Sequence, residues 1–177
     1  MKSRSVNNIL GKTKLFIISF SLVAVCGFTL NANAKWTRTH ASDCTTIGGT
    51  VQDINYSIHN NSTTQDMVFL CAVSDTDRFL KQNVNTLNVH GLDNHSGVTA
   101  SAMACRSLYY TTGGSCGAMD SSSKYGANYY GNFTLTPSLS QWSSATTYDF
   151  GYVYLRIPKI ESGIYKSNFR GYFTSGV

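Results

Sequence analysis

One short segment gathers side chains that can take part in catalysis. His90 and His95 flank Asp93, and Ser96 follows directly. Imidazole nitrogens and a carboxylate held this close could ligate a metal ion, or the carboxylate could orient an imidazole that acts as a base. The Asp, Asn and Gly residues within 93–97 (DNHSG) equally suit a polar turn after a strand. We predict the turn, and a small secreted hydrolase that uses the His90–His95 region is the alternative.

Established catalytic motifs are absent from the rest of the sequence. It contains no G-x-S-x-G, H-E-x-x-H or P-loop pattern. The glycine-rich stretch 113–117 (GGSCG) has no helical pattern after it, which argues against phosphate binding. Glu161 is the only glutamate, and His40 and Asp43 could join the histidine segment only if the fold brings them close. We therefore expect no catalytic residue, no bound metal and no cofactor.

The last two apolar segments carry aromatic and basic side chains in alternation. If both are strands, the pleat places Tyr152, Tyr154 and Arg156 on one face of the first. It likewise places Lys166, Asn168, Arg170 and Tyr172 on one face of the second, opposite Tyr165, Phe169 and Phe173, which suit a core. The connection is short enough for a hairpin. We predict an exposed face of tyrosines among three cations, which could bind an anionic glycan or a protein partner. An ordinary solvated face, with Tyr–Lys and Tyr–Arg packing across the strands, is the interpretation we favour.

Four cysteines follow residue 34, namely Cys44, Cys71, Cys105 and Cys116. An even number of cysteines in an exported chain indicates two disulfides, for which three pairings are possible. Local spacing favours Cys44–Cys71 and Cys105–Cys116. A zinc site is the competing interpretation, but no C-x-x-C pair is present.

Apolar residues recur with a period of two along this part of the chain. Alternation or a short apolar run predicts seven strands, separated by clusters of Asn, Asp, Ser and Gly that favour turns. The segments are 53–59, 67–73, 87–90, 98–108, 129–136, 148–157 and 164–173. No stretch has a convincing helical period. The expected fold is all-β, a two-sheet antiparallel sandwich of Ig-like or jelly-roll type with about seven strands and two disulfides.

The first 34 residues have the three parts of a signal peptide. Lys2, Arg4, Lys12 and Lys14 precede an apolar run over 15–30, and the segment ends in Asn-Ala-Asn-Ala. An A-x-A end suits signal peptidase, so we predict cleavage after Ala34 and export of a single domain over 35–177. The apolar run is shorter than a spanning helix prefers. The alternatives are an uncleaved membrane anchor and a lipoprotein modified at Cys26.

Cleavage would change the charge of the protein. Residues 35–177 contain ten Lys and Arg and all nine acidic residues, so the side chains of the mature chain carry a net charge of only +1. This balance gives no reason to expect nucleic acid or an acidic membrane as a partner. Extracellular glycans or proteins are the expected partners, with no membrane span after cleavage.

The closing segment resembles that of a loose group of small secreted bacterial proteins. Here it reads GYVYLRIP over 151–158 and SGIY over 162–165, and Cys44 and Cys71 also follow the group's pattern. Members have a signal peptide, a β-sandwich-like strand pattern and no known function, and their closing strand reads roughly YYLxCxLP. This chain lacks that cysteine near Leu155. The resemblance then implies that Cys116 replaces it as the partner of Cys105. It supports the fold and export and implies no catalytic residue, and the style of the signal peptide indicates a bacterial source.

Taken together, these features predict a non-enzymatic extracellular or periplasmic module that binds or structures a glycan or a protein. The sequence does not identify the ligand, the oligomeric state or the order of the strands.

Overall fold

The computed structural model of the chain describes residues 35–54, 56–73, 80–126, 130–161 and 166–176. These residues all belong to one compact unit, Asn33–Val177. The predicted signal peptide, including Cys26, lies outside the described residues. No helix in the described ranges is both long and apolar enough to cross a membrane.

Twelve strands in these ranges form two antiparallel sheets of six strands each. The first sheet, sheet A, has the order β10-β6-β12-β4-β3, and β1 also pairs with β12. The second, sheet B, has the order β2-β5-β11-β7-β8, and β9 also pairs with β7. Their bounds are β1 Lys35–His40, β2 Thr45–Ile47, β3 Val51–Ile54, β4 Ser57–Asn60, β5 Met67–Ala72, β6 Val84–Asp93, β7 Ser101–Ser107, β8 Gly114–Cys116, β9 Asp120–Ser121, β10 Gly131–Leu135, β11 Phe150–Ile157 and β12 Asn168–Gly176.

The two sheets enclose one apolar core, which confirms the predicted sandwich. Alternate residues of both sheets are buried, and the ring of Phe69 in β5 lies 4.9 Å from that of Phe169 in β12. A short helix, α1 (Ser140–Ser143), places the fully buried Trp142 against β7, where its indole N–H donates to the carbonyl of Cys105 at 2.7 Å. Burial of these alternating faces is what stabilises a sheet sandwich of this size.

Each of the seven predicted segments contains at least one strand, but four further strands lie outside them. Three of these, β2, β8 and β9, are at most three residues long, too short to show a period. The segment predicted as one strand over 53–59 is a hairpin instead, in which Ile54 pairs with Ser57. Tyr56 lies between the two strands with φ 66° and a side chain 85% exposed. The apolar alternation therefore continues through a turn, which a pattern of residue types cannot reveal.

Both disulfides have the pairing that local spacing favoured. Cys44–Cys71 ties the segment before β2 to β5, with 27 residues of sequence separation. Cys105 and Cys116 are direct cross-strand partners of β7 and β8, 11 residues apart. In the loop-entropy model each bridge destabilises the unfolded chain by about 3 kcal/mol.

The predicted hairpin between the last two long strands is wrong. β11 lies at the centre of sheet B, between β5 and β7, whereas β12 lies at the centre of sheet A, beside β6. The chain changes sheet between Ile157 and Asn168. Since the outer faces of a sandwich point away from each other, the tyrosines of β11 and the cations of β12 do not form one surface.

A β-bulge in β12 changes which of its residues face the core. Phe169 pairs with Gly91 and Gly171 pairs with His90, so Arg170 has no partner in β6. One extra residue reverses the alternation beyond it. Tyr172, predicted to be exposed, is therefore 3% exposed, and its hydroxyl donates to the carbonyl of Ala72 in sheet B at 2.7 Å. Phe173, predicted to be in the core, is instead part of the outer face.

Candidate functional site

The outer face of sheet A carries a groove with a volume of about 610 Å³. Three strands form it: β1, β12 and β6. Its lining residues are Arg38, Thr39, His40, His90, Arg170, Gly171, Tyr172 and Phe173. Four of these eight residues have basic side chains, and none of the described lining residues is acidic. We call this feature the cationic groove.

Strand register explains why these basic side chains meet. Residues directly opposite each other in neighbouring strands point to the same face. Gly171 pairs with His40 of β1 on one side and with His90 of β6 on the other, so both imidazoles flank the same point of β12. Arg38 is in turn the cross-strand partner of Phe173. The bulge adds Arg170 to this face and leaves its side chain exposed.

Gly171 is what lets β1 lie this close to β12. Its φ of 140° is one that residues with a side chain rarely adopt. A Cβ atom at this position would lie 2.3 Å from the carbonyl oxygen of Thr39. The glycine therefore gives β1, with its two basic groups, a place beside the bulge.

The electrostatic environment of the groove disfavours further positive charge. Burial, and next the nearby Arg170 guanidinium, lower the pKa of His90 below its ordinary value. Burial also lowers the pKa of His59 on β4, with Lys166 and Arg170 acting in the same direction and Asp53 opposing them. Two imidazoles on different strands thus lie in the positive field of one guanidinium. An anion placed in the groove would offset that field.

An aromatic platform borders the groove. Trp36 of β1 is 61% exposed, and its ring centroid lies 6.5 Å from that of Phe173. The Arg38 guanidinium carbon lies 5.3 Å from the centroid of the Trp36 ring, within range of a cation–π interaction. A flat apolar surface therefore adjoins the basic side chains, an arrangement that suits a ligand with both a ring face and a negative charge.

The side chains of the histidine segment face different surroundings. His90 faces outward, and its Nδ1 lies 3.1 Å from the hydroxyl of Thr134 in β10. Asp93 is 1% exposed and accepts hydrogen bonds from the backbone N–H groups of His95 and Ala100, both at 3.1 Å, and from the hydroxyl of Ser122. It therefore joins loops of the sandwich, as the predicted turn requires.

His95 is also occupied with the backbone. It is buried, and its Nδ1 accepts from the N–H groups of Gly97 and Val98, both at 2.9 Å. The same nitrogen lies 3.8 Å from a carboxylate oxygen of Glu161. Two N–H donors on Nδ1 place the proton of the neutral ring on Nε2. Within the described ranges, no group of three or more His, Cys, Asp or Glu side chains is arranged to hold a metal ion.

The six residues of the predicted tyrosine–cation face are divided between the two sheets. Tyr152, Tyr154 and Arg156 are half-buried in β11 of sheet B, and Lys166, Arg170 and Tyr172 lie in or beside β12 of sheet A. Of the six, only Arg170 and Tyr172 line the cationic groove.

Two of the predicted cations bind other side chains. The Arg156 Nε donates to the carboxylate of Asp66 at 2.7 Å, and its Nη2 contacts the same oxygen. Burial alone would raise the pKa of Asp66, but the hydrogen bonds from Arg156 and from the backbone of Lys159 lower it. Lys166 donates to the side-chain carbonyl of Gln52.

β1 and its contribution to the groove were not among the predicted features. Trp36, Arg38 and His40 alternate with three other residues, which is the period of a strand. That pattern lacks aliphatic residues and directly follows the predicted cleavage site, so nothing in it indicates a partner strand. Comparison with known proteins gives no further guidance, because no family model matches the chain and no curated protein matches it.

Proposed function

We propose that the protein is an exported, non-enzymatic module that binds an acidic glycan in the cationic groove. One observation carries this proposal: Arg38, His40, His90 and Arg170 converge on one groove whose described lining includes no carboxylate. Guanidinium groups donate paired hydrogen bonds to carboxylates and sulfates. The Trp36 ring beside them supplies a surface on which a sugar ring can stack.

The disulfides support a location outside the reducing cytosol. Two disulfides tie the described strands together, and such bonds persist in oxidising compartments. Export through the segment before Lys35 agrees with them. In that setting, glycans are abundant ligands with the required charge and ring faces.

The two tryptophans make the proposal measurable by fluorescence. Trp36 is 61% exposed beside the groove, and Trp142 is fully buried in the core. We expect polygalacturonate to change the emission of the protein in a saturable way, and neutral dextran to leave it unchanged. Trp36→Phe should abolish the change and leave the Trp142 signal.

A matched pair of charge variants locates the binding site. Arg170→Ser removes a cation from the groove, and we expect it to weaken binding about tenfold or more, as loss of a charge-assisted hydrogen bond does. Lys124→Ser removes a cation that pairs with Asp120 elsewhere on the surface, and we expect no change. Equal effects of the two substitutions, or a flat response to every acidic glycan, would contradict the proposed function.

A further inference from the structure

The cationic groove is continuous with further basic residues along β12. Arg170 lowers the pKa of both His90 and His59, and Lys166 also lowers that of His59. Strand register agrees, because His59 pairs with Asn168 and His90 pairs with Gly171, so these four side chains form a row across β6, β12 and β4. Arg38 extends the series at the other end, beside Phe173. We call this row of groups the basic track.

The basic track is longer than any single sugar or small anion. Residues of a strand advance by about 3.3 Å each, so Arg170 and Phe173 of β12 are about 10 Å apart, and Arg38 lies level with Phe173. Lys166 precedes β12 and donates to Gln52 of β3, whose cross-strand partner His59 pairs with Asn168, so its ammonium group lies on the other side of Arg170. A ligand that contacts all three must therefore be an extended chain.

Resting on the proposed function, we propose that the ligand is a linear polyuronate that crosses the outer face of sheet A from Arg38 past Arg170 to Lys166, with one carboxylate at each cation and a sugar ring on Trp36. The spacing of permanent cations sets this choice. The carboxylates of a polyuronate are separate groups spread along an extended chain, as the three cations are spread across the sheet. A densely sulfated glycan would leave most of its charges without a partner.

Polar groups in the middle of the basic track support contact with an uncharged part of the chain. Asn168 is 4% exposed, and its Oδ1 has no hydrogen-bond partner among the described residues. His59 is the cross-strand partner of Asn168, and its Nδ1 is likewise buried without a hydrogen-bond partner among the described residues. Both atoms are buried, so the hydroxyl groups of a sugar can pair with them only if the His59 ring moves. The acidic Asp53 lies on β3 at the edge of this region and opposes the effect of the two cations on the pKa of His59.

A length series of one acidic sugar tests the proposal on the full mature protein. We expect hexagalacturonate to bind about 100-fold more tightly than galacturonate, because only the longer probe reaches all three cations. Lys166→Ser should weaken hexagalacturonate binding at least about fivefold and leave galacturonate binding unchanged. Arg170→Ser should weaken both, and Lys124→Ser should weaken neither.

The outcomes separate the two proposals. If galacturonate binds as tightly as hexagalacturonate, or if Lys166→Ser has no effect on the hexamer, the extended ligand is wrong and an acidic ligand in the groove still stands. Tighter binding of a heparin hexasaccharide or of single-stranded DNA of equal charge would overturn the polyuronate. If no uronate of any length binds, both proposals fail.

Discussion

The position of β1 depends on Gly171, and substituting this glycine should disable the groove. In Gly171→Ala the new Cβ would lie 2.3 Å from the carbonyl oxygen of Thr39 and 3.3 Å from the Cα of His40. Both are backbone atoms of β1, so rotation of a side chain cannot relieve the overlap. We expect β1 to move away from β12, and Arg38 and His40 with it.

Gly126 provides a control for the backbone strain alone. Its φ is 128°, close to that of Gly171, but a Cβ there would meet nothing within 4 Å. We expect Gly126→Ala to lower the free energy of unfolding by about 1–2 kcal/mol. Gly171→Ala has the same strain and also breaks two or three hydrogen bonds to β1 at about 1 kcal/mol each, so the expected loss is about 3–5 kcal/mol.

Urea unfolding followed by the emission of Trp142 measures both variants, and titration with hexagalacturonate measures binding. We expect Gly126→Ala to bind as the unaltered protein does, and Gly171→Ala to bind at least about tenfold more weakly while it remains folded, because two basic groups leave the groove. Equal stability losses in the two variants, together with unchanged binding, would refute the reasoning.

Three further outcomes follow from the structure. Asn60→Ala should lower the free energy of unfolding in urea by about 3 kcal/mol, because the fully buried side-chain amide donates to the carbonyls of Gln65 and Pro158 at 2.9 and 3.2 Å and accepts from the N–H of Ser62 at 3.0 Å. The exposed Asn61 is the control: Asn61→Ala should change that free energy by less than about 0.5 kcal/mol, and equal effects of the two substitutions would contradict the role of Asn60. The affinity for galacturonate should rise as the pH is lowered from 7.5 to 5.5. A bound carboxylate offsets the burial and the Arg170 charge that lower the pKa of His90, so the ligand and the His90 proton favour each other's binding. His90→Asn should flatten this pH profile. In the ligand-free protein, the lowered pKa of His90 should reduce stability at acidic pH, because the unfolded chain binds the His90 proton more readily than the folded protein does. The midpoint of urea unfolding should therefore fall as the pH drops below the ordinary histidine pKa. This fall should be smaller in His90→Asn.

Local patterns predicted the components of the fold because each is short-range in sequence. Met67 to Ala72 is a continuous apolar run, and it is a strand with neighbours on both sides in sheet B. Cys105 and Cys116 are close along the chain, and an adjacent pair of strands places them opposite each other. Whether a segment forms a strand, and whether two nearby cysteines form a disulfide, depends mainly on residues that are close in sequence. Both features can therefore be predicted from the sequence.

The site could not be predicted in the same way. Tyr152 and Tyr154 alternate as expected in β11, but their sheet is not the sheet of Arg170. Tyr172 and Phe173 exchange faces because one bulge residue precedes them. The residue types around Arg170 do not by themselves indicate a bulge, and its effect on every later side chain follows from the pleat.

The amino-acid sequence by itself determined that residues 35–177 favour strands over helices, that two local disulfides could form and that few side chains are suited to catalysis. Only the tertiary structure decided that β1 pairs with β12, whose residues lie more than 130 positions later in the sequence than their partners in β1. That pairing collects Trp36, Arg38 and His40 beside Arg170. Its physical basis is the burial of sheet faces together with the close approach that Gly171 permits, and both depend on residues that are remote in sequence.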